Sequence, residues 1–169
     1  MKQFLLFVLL AAASNAGFAQ TDAISKFFKQ YENNENFTVI SISPKMFKMM
    51  SKVKWDDVSS EVKQTINNLT SFRMLTAEKN GLALYTEAAK KLDLGSYDEI
   101  MTVKDKGENV RFFVKEANSR INELVMLVGT KSEFVLMSLT GIIDLDNINK
   151  LGSAINMKGM NNLSSVKKK

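Results

Sequence analysis

The segment "ELVMLV" at 123–128, with "EFVLMSLTG" at 133–141 beyond the break Gly129-Thr130-Lys131-Ser132, restricts the fold more than any other part of the chain. Each apolar half is too short to cross a bilayer as a helix, which takes about 20 residues. Glu123, Lys131 and Glu133 place charges around both halves. A strand of a membrane barrel would alternate apolar and polar positions, whereas Leu124 to Val128 is apolar at every position. Two neighbouring strands of a sheet core are left, and a strand apolar on both sides needs cover on both faces.

That requirement raises the question of the second face. Val125, Leu127, Val135, Met137 and Leu139 alternate opposite in phase to Leu124, Met126, Phe134 and Leu136. If helices cover one set, the set Val125, Leu127, Val135, Met137 and Leu139 is the candidate interaction face. It is either closed by a helix, the tail or sheet curl, or shared with a protein partner or a second copy, because large apolar patches are seldom left exposed.

The rest of the chain supplies helices in its first half and strands in its second. A cap at Thr21 or Asp22 opens a helix with Ile24, Phe27, Phe28 and Tyr31 on one face. "FTVISI" (37–42) is a strand, and Ser43-Pro44 launches "KMFKMMSKV" as a helix. Asp56 and Asp57 are read as the cap of a helix over 58–69, followed by the strand "SFRMLTA" (71–77). Another helix carries Leu82, Tyr85, Ala89 and Leu92 to about Gly95. Four strands then follow, with breaks at Asp105-Lys106-Gly107, Ala117-Asn118-Ser119 and Gly129-Thr130-Lys131-Ser132, where Gly and Asn suit the positive φ of tight hairpins. A short helix is expected over 144–155. The order predicts an α+β fold, a largely antiparallel sheet of about six strands with helices packed on one face.

The N-terminus reads differently. "MKQFLLFVLLAAASNAGFAQ" has Lys2, a ten-residue apolar run from Phe4 to Ala13 and then mostly small residues. This is the layout of a secretory signal peptide, so the expectation is a signal at 1–19 cut after Ala19, one α+β domain at 21–157 and a flexible basic tail at 158–169. No transmembrane segment is expected after cleavage, and the mature protein is expected to be periplasmic or secreted. The formal charge of +5 is matched by Lys2 with Lys158, Lys167, Lys168 and Lys169, so the body is near neutral and nucleic acid is not an expected partner.

Cys and His are both absent. Thiol nucleophiles, Ser-His catalysis, His acid–base chemistry and ordinary zinc sites are excluded with them. Met46, Met49 and Met50 could in principle offer thioethers to Cu(I), but they read more simply as part of an apolar helix face. "DLDNIN" starts like a calcium loop at Asp144, Asp146 and Asn147, then fails at Ile148, Asn149 and Ile155; a helix cap is the simpler reading. "GTKS" lacks the glycine spacing of a phosphate loop. The pairs Glu32 and Glu35, Asp56 and Asp57, and Asp98 and Glu99 lie in no apolar run that would tune them. Triplets at Asn36, Asn68 and Asn162 fit the glycosylation pattern, which counts only in a eukaryotic secretory route. No catalytic, cofactor or metal residue is assigned.

"FFVKEANSRINELVMLVGTKSEFVLMSLTGIIDLDNINKL", together with "LTSFRML" and "LYTEAAKKL" upstream, resembles a family of exported bacterial proteins, domain of unknown function 4252. The resemblance implies a Gram-negative envelope protein and a setting in envelope signalling or stress response. Many relatives look like lipoproteins, and the missing Cys departs from that. The expected function is a non-enzymatic exported binding or interaction module; the alternative is a carrier for a small apolar ligand between helices and sheet.

Overall fold

The computed structural model describes residues 22–53 and 59–145. The expected signal peptide, the Asp56–Asp57 cap, the 146–155 part of the expected last helix and the basic tail lie outside the described residues.

The chain forms α1 (Ala23–Tyr31), β1 (Thr38–Ile42), α2 (Pro44–Met50), α3 (Ser60–Asn68), β2 (Leu69–Ala77), α4 (Gly81–Lys91), a 3₁₀ turn (Leu94–Ser96), and then β3 (Asp98–Asp105), β4 (Glu108–Ala117), β5 (Arg120–Gly129) and β6 (Phe134–Ile143). The expected α+β class and six-strand count hold. The strands make one sheet in the order β1-β2-β6-β5-β4-β3, every neighbour antiparallel. After β2 the chain crosses to the far edge and returns as a β3–β6 meander, so the apolar strands β5 and β6 end up central.

Local chemistry sets the element ends. The Asp22 side chain accepts from Ser25 N at 2.6 Å, and Ser43 caps α2 with Pro44 in its first turn. Helix α3 starts two residues later than the sequence suggested. Ser59, which accepts from the backbone N–H of Val62, is its cap, and Leu69 already belongs to β2. Two hairpins use left-handed backbone at Gly107 and Asn118 as expected, and also at Lys106 (φ 43°) and Ser119 (φ 59°), which the expectation for Gly and Asn did not include. The β5–β6 turn is built differently: Thr130 Oγ1 accepts from Glu133 N at 2.8 Å while Thr130 N donates to Glu133 O at 2.8 Å. Gly129 serves close packing instead, since a Cβ there would overlap the Tyr85 side chain.

The helices cover both faces rather than one. On the first face, Ile24, Phe27, Phe28 and Tyr31 of α1 and Ala88 of α4 pack with Phe113, Val125, Leu127, Phe134 and Leu136. On the second, Phe47 of α2 and Ile66 of α3 join Phe112, Leu124, Met126, Met137 and Leu139. An apolar stripe shows that a helix is buried but not against which side of a sheet. Each fully buried Leu, Val, Phe or Met stabilises the fold by about 1.5–3 kcal/mol, and the two layers together give this Cys-free chain its core.

Candidate functional site

The five residues read as one interaction face do not share a face. In the β5–β6 register Val128 lies opposite Val135, Met126 opposite Met137, and Leu124 opposite Leu139. Odd positions of β5 therefore share a side with even positions of β6. Val125 and Leu127 lie in the first-face core; Val135, Met137 and Leu139 lie in the second-face core. All five are buried. The four-residue loop between the strands sets this phase, and a loop one residue shorter or longer would have united the set.

Two polar features stand out at opposite ends of the first face. At one end, β2, β6, β5 and β4 bring Arg73, Ser138, Glu123 and Lys115 onto one side. Glu123 accepts from Tyr97 OH at 2.7 Å and from Ser138 Oγ at 2.9 Å. Arg73 lies over the Phe28 ring and donates to Ser25 Oγ at 2.9 Å, which in turn donates to Asp22. Asp22, Tyr97 and Lys115 border a hollow of about 260 Å³. Sequence reasoning missed Tyr97, Glu123 and Ser138. The one legible signal was polar residues breaking the apolar runs at 123 and 138.

This network clasps Tyr97 and β6 to β5 through the Glu123 carboxylate. Ser138 is only 1% exposed, so its hydroxyl is buried against Glu123. Burial, with the Glu123 hydrogen bond, drives the Tyr97 phenol far above its ordinary value, so Tyr97 remains a proton donor.

At the other end, the α1–β1 loop and the β2–α4 loop enclose an open cleft of about 590 Å³. Tyr31, Phe37 and Leu84 give it an apolar lining, and Asn36, Thr76 and Asn80 give it hydrogen-bonding groups. Tyr31 and Phe37 rings lie 4.4 Å apart between centroids. Asn34 Oδ1 accepts from Asn36 N at 3.0 Å and so shapes the loop. Glu87 of α4 accepts from Tyr31 OH at 2.7 Å and from Lys91 Nζ at 2.8 Å, which ties α1 to α4 behind the cleft. Lys91, and then Tyr31, hold the Glu87 carboxyl below its usual range. Burial and then Glu87 push Tyr31 up to about 12.

Both phenols are held in the protonated form, so folding stability from them is complete below pH 10.0, the ordinary tyrosine value, and falls as pH rises above it. In an alkaline titration followed by tyrosinate absorbance and circular dichroism, Tyr31 and Tyr97 should ionise together with loss of the fold. Full ionisation of all three tyrosines in a chain still folded at about pH 11 would show that neither hydroxyl is engaged.

The other sequence candidates do not assemble. Met46 and Met49 face solvent while Met50 packs towards the second-face core, so the three thioethers form no ligand set. Of the calcium-like loop, Asp144 is exposed and the positions from Asp146 on lie outside the described residues. Among the described residues no group of three His, Cys, Asp or Glu could hold a metal, and no helix is long and apolar enough to cross a membrane.

No curated protein and no solved structure matches the chain. One family model does, described as "Domain of unknown function (DUF4252)", over residues 31–151 of the 169. All six strands and helices α2–α4 fall inside that match, and the chain belongs to the DUF4252 family.

Proposed function

We propose that the protein is a non-enzymatic exported binding and interaction module of a bacterial cell envelope, in the signalling or stress-response setting that the family resemblance implies. The cleft carries this reading: about 590 Å³ of open space with an aromatic and aliphatic lining and amide and hydroxyl groups around it. Ligand sites combine an apolar wall with a few oriented polar groups in this way. The signal-like N-terminus supports export. The space between helices and sheet favours the carrier alternative less, because Leu75, Leu127, Phe134 and Leu136 fill it as fully buried core.

The test is crosslinking of the mature protein in its native envelope, followed by capture and mass spectrometry, with native mass spectrometry of the purified protein alongside. Asn36→Trp and Glu78→Trp fill the cleft from exposed positions without touching the core. A specific adduct in the wild type that falls at least tenfold in both variants is the expected result. An adduct profile unchanged by both variants would refute the cleft as the site. An apolar ligand that copurifies equally with all three forms would transfer the reading to a carrier.

A further inference from the structure

The two edges of the sheet are protected very differently. Edge strands present free N–H and C=O groups, and proteins usually blunt them with charges, Pro or bulges. Strand β3 carries Asp98, Glu99, Lys104 and Asp105 and has a register break between Glu99 and Met101. Strand β1, Thr38-Val39-Ile40-Ser41-Ile42, has no charge, no Pro and an unbroken register with β2. Four of its five residues are β-branched, the type that pairs best in sheets.

Exposed apolar side chains concentrate in β1 and in the segment that follows it in the chain. Ile40 (38% exposed), Met46 (47%), Met49 (56%) and Val53 (52%) are four of the five large hydrophobic residues exposed among the described residues. Ile40 lies opposite Met74, which packs with the second-face core that Phe47 of α2 also joins. Among the described residues β1 pairs with β2 alone, and Ile40 lies on the same side of the sheet as Phe47 of α2.

We propose that β1 is a homodimerisation edge, pairing antiparallel with β1 of a second copy about a two-fold axis at Ile40. This names the partner within the interaction reading above. The five-residue strand has Ile40 at its centre, so the two-fold pairs its full length with no overhang: Thr38 with Ile42 of the partner, Val39 with Ser41, and Ile40 with its own counterpart. Because the strand is uncharged, self-pairing sets no charge against its like, which a charged edge such as β3 could not avoid. The axis continues the sheet and puts the two Ile40 side chains, and the two α2 helices, on the same side of it. Lys45 and Lys48 of α2, and Lys52 just beyond it, are exposed to solvent. Their mutual repulsion is screened beyond about 10 Å at ordinary salt.

A pairing this small belongs with weak, concentration-dependent interfaces below about 1,200 Å², so the measurement is sedimentation equilibrium of the mature protein over a wide concentration range. The wild type should dimerise, and Ile40→Lys should weaken dimerisation at least tenfold with unchanged circular dichroism, while Thr102→Lys on the β3 edge should have no effect. The chain has no Cys, so single cysteines report the register. Under mild oxidation Ile40→Cys should form a covalent dimer, since opposed strand residues lie about 4.5–5.5 Å apart at Cα, within disulfide reach. Thr38→Cys should not, because the axis holds its two copies roughly 14 Å apart. A monomer at every concentration, a dimer indifferent to Ile40→Lys, or equal crosslinking of both cysteines would each overturn the proposal. Capture of another envelope protein by Ile40→Cys in place of the covalent dimer would overturn it too, while leaving the cleft reading to its own variants.

Discussion

Val125→Glu should yield no folded protein. Val125 has 0% exposure, lies between Phe113 of β4 and Ser138 of β6, and belongs to the core beneath α1 and α4. An ionised carboxylate there loses its hydration, and a neutral one still needs hydrogen-bond partners in an apolar layer. The hydroxyl of Ser138, opposite Val125 in the sheet, already donates to Glu123. A penalty of roughly 4 kcal/mol or more is a large share of a total stability that starts at about 5 kcal/mol for domains of this kind. Met137→Glu places the same charge on the opposite side of the sheet and should fail equally, since Met137 is also buried. Circular dichroism and a thermal melt decide the matter. A folded, monomeric Val125→Glu would mean that this face is not core and would revive it as a docking surface. The contrast with Ile40→Lys separates a core strand from an edge: both put charge on a β-branched position of the same sheet, yet only the first should unfold it.

The elements were legible where the signal is local. Ser43-Pro44, the period of Ile24, Phe27, Phe28 and Tyr31, and the turn residues Gly107 and Asn118 each carry their own chemistry within a few positions, and the structure uses them as read. What could not be read depends on chain geometry beyond a single element. Whether α2 and α3 lie on the side of α1 or the opposite side leaves their apolar stripes unchanged. The phase of β6 against β5 rests on the Thr130–Glu133 loop, whose Thr130 side chain replaces the positive φ expected at Gly129. The Glu123 clasp joins residues 26 and 15 positions apart, and the cleft joins α1 to a helix start some 50 positions later. Periodicity carries no information about such encounters.

Gly81→Ala should destabilise the protein by about 3 kcal/mol, the upper end of ordinary overpacking, although helix propensity alone argues for the opposite sign. Gly81 is the first residue of α4, where Ala is normally the better helix former by roughly 1 kcal/mol. Here a Cβ would overlap the backbone carbonyls of Glu133 and Thr130 in the β5–β6 turn. Neither can yield cheaply, because Thr130 N donates to the Glu133 carbonyl at 2.8 Å and closes the turn. Relief requires the start of α4 to move off the sheet. Asn80 and Leu84 line the cleft, so the same displacement should weaken any ligand bound there. Leu82→Ala, one residue on, removes a half-buried side chain without adding bulk and controls for simple loss of packing. Urea unfolding of the two variants gives the comparison. If Gly81→Ala proves as stable as the wild type or more so, the helix start is not pressed against the hairpin, and the cleft wall is not held by that contact.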